Sequence, residues 1–297
     1  MLQGAMTAMI TPFRNGEVDE ARLAENVNFQ VEKGVDGLVP VGTTGESPTL
    51  DHHEHRRVVE RVVEAAAGRT QVIAGTGSNA TSEALELTEH ARKTGADAAL
   101  MVNPYYNKPT QEGMYRHFMT VADRVDLPIV LYNIPGRTGV ALTPETIARL
   151  AAHSNIVGVK EATGSMDTAS EIAMLCGTDD FAIISGDDSL TLPLMAIGGK
   201  GVISVVSNLL PEKVKAITDP ALNNDFNQAR AAHLALFPLL KACLSLATNP
   251  IPIKTAMAIA GRDSGELRLP LCELDDASRQ SMEQTLRDVG VLETARS

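Results

Sequence analysis

Ile156-Val157-Gly158-Val159-Lys160-Glu161-Ala162-Thr163-Gly164 reads as a short buried strand that ends in a lysine. Ile156, Val157 and Val159 are β-branched and no polar residue interrupts them, which suits a strand covered on both faces. Parallel strands of this kind present functional side chains at their C-terminal ends. Lys160 stands at that end. Burying an ammonium is costly, because desolvation disfavours the charged form. An uncharged amine is a nucleophile toward carbonyl carbon and forms Schiff bases. The stretch alone leaves two readings open: a Schiff-base lysine, or a lysine that snorkels out of the strand or pairs with Glu161.

The same rhythm recurs on both sides. Runs rich in strand-forming residues fall at Ala5–Ile10, Gly37–Val41, Gln71–Ala74, Ala98–Val102, Pro128–Tyr132, Phe181–Ser185 and Gly201–Val205. With Ile156–Lys160 these make eight. Helical spacing fills the gaps, as in Leu23, Val27, Phe29 and Val31, or Val58, Val59, Val62 and Val63. Glycines in Lys33-Gly34, Thr94-Gly95 and Ile197-Gly198 suit the left-handed residue just past a helix, and Thr143-Pro144-Glu145 is a helix start. Eight βα units predict a closed (β/α)8 TIM barrel in the α/β class, the alternative being an open doubly wound sheet. No G-x-G-x-x-G follows the first strand, which weakens a dinucleotide-binding reading. After Leu222 the rhythm stops. Residues 1–222 are therefore read as the barrel and 223–297 as a C-terminal helical appendage.

Composition narrows the function. The 297 residues carry a formal net charge of −11, which argues against a nucleic-acid or anionic-membrane surface. Aromatics are 3% and tryptophan is absent, so the core is mostly aliphatic. Cys176, Cys243 and Cys272 are scattered and odd in number, without a C-x-x-C pair, which suits a reducing compartment. No signal peptide or membrane-spanning run is recognised, and a cytoplasmic location is expected.

Barrel sites gather at the C-terminal strand ends. Strand parity puts Tyr132 and Val130 on one face of their strand, with Leu131 and Ile129 on the other. If Lys160 faces the lumen, so should Gly158 and Ile156, with Gly158 leaving room beneath the long side chain. Tyr132 and Lys160 then meet from neighbouring strands, and a phenol beside an amine can pass protons during imine formation. The turn Gly42-Thr43-Thr44-Gly45 offers hydroxyls and amides for a carboxylate, unless Thr43 is simply a helix cap. Arg137 is a candidate clamp for a second carboxylate. Gly186-Asp187-Asp188 is too acidic for a phosphate site. His52-His53-Glu54-His55 tempts a metal reading, but it lacks the H-E-x-x-H order and a third ligand, so no metal is expected.

Five motifs in order resemble the pyruvate-dependent class I aldolase family: Gly42-Thr43-Thr44-Gly45-Glu46-Ser47, Asn103-Pro104-Tyr105-Tyr106-Asn107, Tyr132-Asn133-Ile134-Pro135-Gly136-Arg137-Thr138-Gly139, Gly158-Val159-Lys160-Glu161-Ala162-Thr163-Gly164 and Ser185-Gly186-Asp187-Asp188. The likeness continues through Asn249-Pro250-Ile251-Pro252-Ile253-Lys254 and Leu267-Arg268-Leu269-Pro270. It is strongest to the branch that condenses pyruvate with L-aspartate 4-semialdehyde, at the head of diaminopimelate and lysine synthesis. The resemblance implies that Lys160 forms the imine and Tyr132 moves protons. Thr43 and Tyr106 complete the relay, with Tyr106 supplied by a neighbouring subunit. Thr44 would hold the pyruvate carboxylate near Gly186 and Ile203, and Arg137 the second carboxylate. No metal or organic cofactor is implied. The family's usual state is a homotetramer of two tight dimers. Lysine-inhibited members use positions matching Ser47, Pro48, His52, His55, Asn79, Glu83 and Tyr105, which implies feedback inhibition by L-lysine. The alternative within the family is N-acetylneuraminate lyase or a 2-keto-3-deoxy sugar acid aldolase. Outside it, the alternative is a barrel that only binds an amino acid. The paired threonines, Tyr105-Tyr106 and Arg137 favour the condensing branch.

Overall fold

The computed structural model describes residues 2–293; Met1 and residues 294–297, the last four of the expected helical region, lie outside them. Eight parallel strands close into a barrel. They are β1 (Gly4–Ala8), β2 (Gly37–Val39), β3 (Gln71–Gly75), β4 (Ala98–Val102), β5 (Ile129–Asn133), β6 (Ile156–Glu161), β7 (Ala182–Ser185) and β8 (Gly201–Ser204). Each pairs with its neighbour in chain order, and β1 closes on β8 through Gly4↔Gly201 to Thr7↔Ser204. The expected closed barrel is thus observed and the alternative open sheet excluded, and all eight strands fall where the sequence puts them, with ends shifted by a residue or two.

Helices α1 (Glu20–Glu32), α2 (His52–Ala66), α3 (Thr81–Thr94), α4 (Gln111–Ala122), α5 (Pro135–Thr138), α6 (Pro144–Ala151), α7 (Met166–Cys176), α8 (Thr191–Ala196) and α9 (Pro211–Leu222) follow the strands. The chain continues into α10 (Phe226–Ser245), α11 (Ile251–Ile259) and α12 (Asp276–Asp288). Thr143 caps α6 with Pro144 at its first position, and Gly95 ends α3 in the left-handed region, as their residue types dictate. Among the described residues no helix is long and apolar enough to cross a membrane.

Two apolar layers form the core. Val39, Ile73, Leu100, Val130, Ile184 and Ile203 fill the lumen. Val59, Met101, Phe118, Leu131, Val159 and Ile183 pack between strands and helices. α11, α12 and α10 bury a second cluster, Leu239, Ile253, Met257 and Leu286, against Ile10 and Val206 at the barrel wall.

Two expectations of parity fail on β6. Register slips between Ile129↔Ile156 and Val130↔Gly158, a bulge that inserts one residue. Val157 therefore packs with the lumen cluster and Ile156 with the outer layer, the reverse of strict alternation. Gly158 does not make room for Lys160 either. A Cβ there would lie 2.5 Å from the carbonyl oxygen of Ala182, so glycine permits the close approach of β7. On α1 the buried row is Leu23, Asn26, Val27 and Gln30; Val31 packs half-buried against the core, and Phe29 is half-buried. Gln30 is tolerated there because it is hydrogen-bonded. Its Oε1 accepts from the Thr7 hydroxyl at 2.7 Å, and its Nε2 donates to the Ser207 carbonyl at 2.8 Å.

Past β2 the backbone turns sharply, with Val41 at φ 49°. Glycine on the next strand accommodates it, since a Cβ on Gly75 would sit 2.4 Å from the Val41 carbonyl oxygen. Gly75→Ala should therefore lower stability by about 1–3 kcal/mol. Thermal unfolding checks this, and an unchanged midpoint would show that the close approach is not a constraint.

Candidate active site

Register brings together the two side chains expected to react. Tyr132 on β5 lies opposite Lys160 on β6. Both enter the lumen and are 5% and 6% exposed. The Lys160 Nζ sits over the Tyr132 ring, 4.3 Å from its centroid, a cation–π distance when the amine is charged. Lys160 neither snorkels outward nor pairs with Glu161. The Glu161 carboxylate accepts instead from the Thr163 backbone N–H at 2.6 Å and from Asn133 Nδ2 at 3.2 Å. Burial nevertheless pushes that carboxyl above its ordinary range. Asn133 in turn accepts from Asn103 Nδ2 at 3.0 Å, so the ends of β4, β5 and β6 are laced together on the helix side.

Gly186, after β7, spends its N–H on the Glu161 carbonyl at 2.8 Å. A Cβ there would lie 2.6 Å from the Ala162 Cβ and 3.1 Å from Lys160 Cε, so glycine permits the close approach of this turn to the end of β6. Ile203 is buried in the lumen cluster.

The turn after β2 supplies Thr43 and Thr44. Thr43 caps no helix: α2 starts from Asp51, whose side chain and Glu54 form a capping box. The Thr44 hydroxyl is buried and accepts from Asn249 Nδ2 at 3.0 Å, which leaves its own proton to donate. Arg137, on the short helix α5, is exposed and reaches the Asn249 carbonyl at 3.0 Å. Lys254 and Glu46, not singled out as site residues from sequence, form a fully buried ion pair of 2.6 Å beneath this turn. Burial lowers the affinity of Lys254 for its proton, and Glu46 opposes that loss. The pairing of two charges 208 residues apart leaves no local sequence pattern.

One cavity of about 550 Å³ opens at this end of the barrel. Thr43, Tyr132, Arg137 and Asn249 share its wall with Ser47, Pro48, His52, His55, Glu83 and Tyr105. Lys160, Thr44, Gly186 and Ile203 are not on that wall, but Lys160 touches Tyr132, which is. Asn79 lies beside the cavity and donates to the Tyr105 carbonyl at 3.2 Å. His52 Nε2 is 2.9 Å from Glu83, which also takes the Ser78 hydroxyl. Tyr106 is not brought to Lys160 within the chain: it is 89% exposed, at φ 72°.

A lysine and a tyrosine in register at the C-terminal rim of a (β/α)8 barrel, with threonine hydroxyls opposite, define a carbonyl-processing enzyme of the Schiff-base aldolase type. Comparison narrows the class: the dihydrodipicolinate synthetase family model matches residues 1–289, and the chain belongs to that family. The 4-hydroxy-tetrahydrodipicolinate synthase of Pelobacter propionicus is 52% identical over 292 residues, covering 98% of this chain and 100% of that protein. Among solved structures, a chloride-inhibited dihydrodipicolinate synthase from Acinetobacter baumannii, complexed with pyruvate, superposes with a TM-score of 0.95 at 41% identity, covering 98% of this chain and 100% of that one. The enzyme from Cyanidioschyzon merolae with lysine bound gives 0.94 at 39% identity, over 98% and 99%. A monomeric dihydrodipicolinate synthase variant gives 0.95 at 42%, over 98% of each chain.

Two buried histidines set an acid limit on the fold. Burial pushes both His55 and His117 down from 6.5 to about 4. Between those values the unfolded chain binds the extra protons, so stability falls as pH drops through the window, by about 3 kcal/mol for each histidine. Urea midpoints measured from pH 7 to pH 4 should fall accordingly, and His117→Gln should flatten the curve. Equal slopes in the two proteins would contradict this.

Proposed function

We propose that this protein condenses pyruvate with L-aspartate 4-semialdehyde through an imine on Lys160, forming 4-hydroxy-tetrahydrodipicolinate. The observation that carries the reading is the contact of Lys160 Nζ with the ring of Tyr132, which shares with Thr43 the wall of one open cavity. The relative from Pelobacter propionicus, which carries that enzyme's name over its full length, supports the same reading.

The chemistry follows from these groups. The Lys160 amine adds to the pyruvate ketone, and the carbinolamine loses water to give an imine. Tyr132 moves the protons of both steps, with Thr43 and a neighbouring subunit's Tyr106 as its relay. The protonated imine draws electrons from the methyl carbon, whose C–H bond breaks to leave an enamine. That carbon attacks the aldehyde, a C–C bond forms, and the alkoxide takes a proton. The amino group of the semialdehyde then displaces Lys160 from the imine, closing the ring and freeing the enzyme. Thr44 donates its hydroxyl proton to the pyruvate carboxylate, and Arg137 faces the carboxylate of the semialdehyde. Gly186 and Ile203 shape the space around the keto acid.

The second site in the same cavity is read as an L-lysine pocket. Glu83 offers an anion to an ammonium, and Ser47, Pro48, His52, His55, Asn79 and Tyr105 surround it. The lysine-bound relative from Cyanidioschyzon merolae supports this. The exposed Tyr106 supports assembly into tight dimers, two of which make the homotetramer. Residues 1–222 are read as the catalytic barrel and 223–297 as the helical region that closes it. The three free cysteines suit a reducing cytoplasm.

Steady-state turnover with pyruvate and a panel of aldehydes tests the reading. Aspartate semialdehyde should be consumed, coupled to reduction of the product by the next enzyme, and sugar aldehydes should not. The reverse preference would favour a sugar acid aldolase. Millimolar L-lysine should slow the initial rate, and Glu83→Ala should remove that inhibition while turnover persists. A rate indifferent to lysine would end the regulatory reading alone.

A further inference from the structure

The turn that presents Thr43 and Thr44 is bent against its own preferences. Val41 at φ 49° and Glu46 at φ 53° both occupy the left-handed region, which side chains with a Cβ disfavour. Such a conformation persists only where the surroundings enforce it. Two ties reach the turn from the C-terminal helices. One is the bond from Asn249 to the Thr44 hydroxyl. The other is Lys254, on α11.

Lys254 is completely enclosed, and its three N–H donors meet three acceptors. Glu46 Oε1 lies at 2.6 Å, the Thr11 carbonyl at 2.8 Å and the Glu266 carbonyl at 2.7 Å. The other Glu46 oxygen accepts from the Arg268 backbone N–H at 3.2 Å. Thr11 closes the circuit, because its hydroxyl donates to the Gly45 carbonyl at 2.7 Å, inside the turn itself. A buried ion pair is weak evidence of added stability, since apolar residues of similar volume often serve as well or better. What this pair supplies is a fixed location: three bonds converge on one Nζ, and two of them lead back to Glu46 and, through Thr11, to Gly45, the residues that follow the threonines.

We propose that Lys254 and Glu46 are a positioning pair that sets the Gly42–Ser47 turn so that the Thr43 and Thr44 hydroxyls meet the bound keto acid. The C-terminal helices thereby take part in the reaction without touching substrate. The proposal rests on the condensation reading above.

The test compares wild type, Glu46→Gln, Lys254→Met and the double variant for kcat, pyruvate KM and melting temperature. Lys254→Met leaves a buried carboxylate unpaired and should melt lowest. The double variant removes both charges and should regain much of that loss. Its kcat should not recover, and should stay about tenfold to a hundredfold below wild type, the scale set by small misplacements of catalytic groups. Glu46→Gln, which keeps the volume, should show the same sign with the least loss of melting temperature. Wild-type kcat and KM in the folded double variant or in Glu46→Gln would overturn the proposal, as would activity that simply follows melting temperature across the set. If wild type itself fails to turn over the two substrates, the condensation reading falls first; turnover shared equally by wild type and double variant sinks only the positioning role.

Discussion

The opposition of Tyr132 and Lys160 across β5 and β6 is the constraint on which the site depends. Neither side chain would be placed by its own sequence neighbourhood. Each points inward because period-two alternation, interrupted once by the bulge at the start of β6, puts it there. Closure of the eight strands then walls off the space between them. The bulge matters for this reason. A single inserted residue changes which side chains of β6 face the lumen, and it falls before Gly158, so the pairing of Lys160 with Tyr132 downstream is regular.

Around that pair the protein spends polar groups where an apolar core would be simpler. Asn103, Asn133 and Glu161 lace the strand ends behind the lumen. Lys254 and Glu46 brace the threonine turn from the far end of the chain. Buried polar groups are tolerated only when their hydrogen bonds are met, and met networks restrict a structure to one arrangement. This restriction suits the proposed approach of a single amine to a ketone along one path. The acid sensitivity expected from His55 and His117 has another source: both are enclosed in neutral form, and His55 Nδ1 and His117 Nε2 have no hydrogen-bond partner among the described residues.

Much of this was legible in the chain. Strand and helix periods are local, so the eight βα units, the helix start at Thr143 and the glycine stop at Gly95 could be read directly. Lys160, Tyr132, Thr43 and Arg137 were legible because each sits at a strand's C-terminal end in unusual company. The bulge was not, since an extra residue in a uniformly apolar run leaves no trace in polarity. Gln30 leaves no signal for a related reason: its partners Thr7 and Ser207 lie on distant segments, so nothing near it in the chain marks an amide on the core face. The Lys254–Glu46 pair leaves no local signal likewise, because only folding brings its two charges together. The role of Gly158 was misjudged because a glycine reports only that a side chain is excluded, and the excluding atom belongs to β7.

Reduction with borohydride in the presence of pyruvate, followed by peptide mass spectrometry, addresses the Lys160 imine most directly. A reduced pyruvyl adduct on the peptide that contains Lys160, absent from Lys160→Ala, is the expected result. An adduct on another lysine, or none at all in a protein that turns over its substrates, would contradict it.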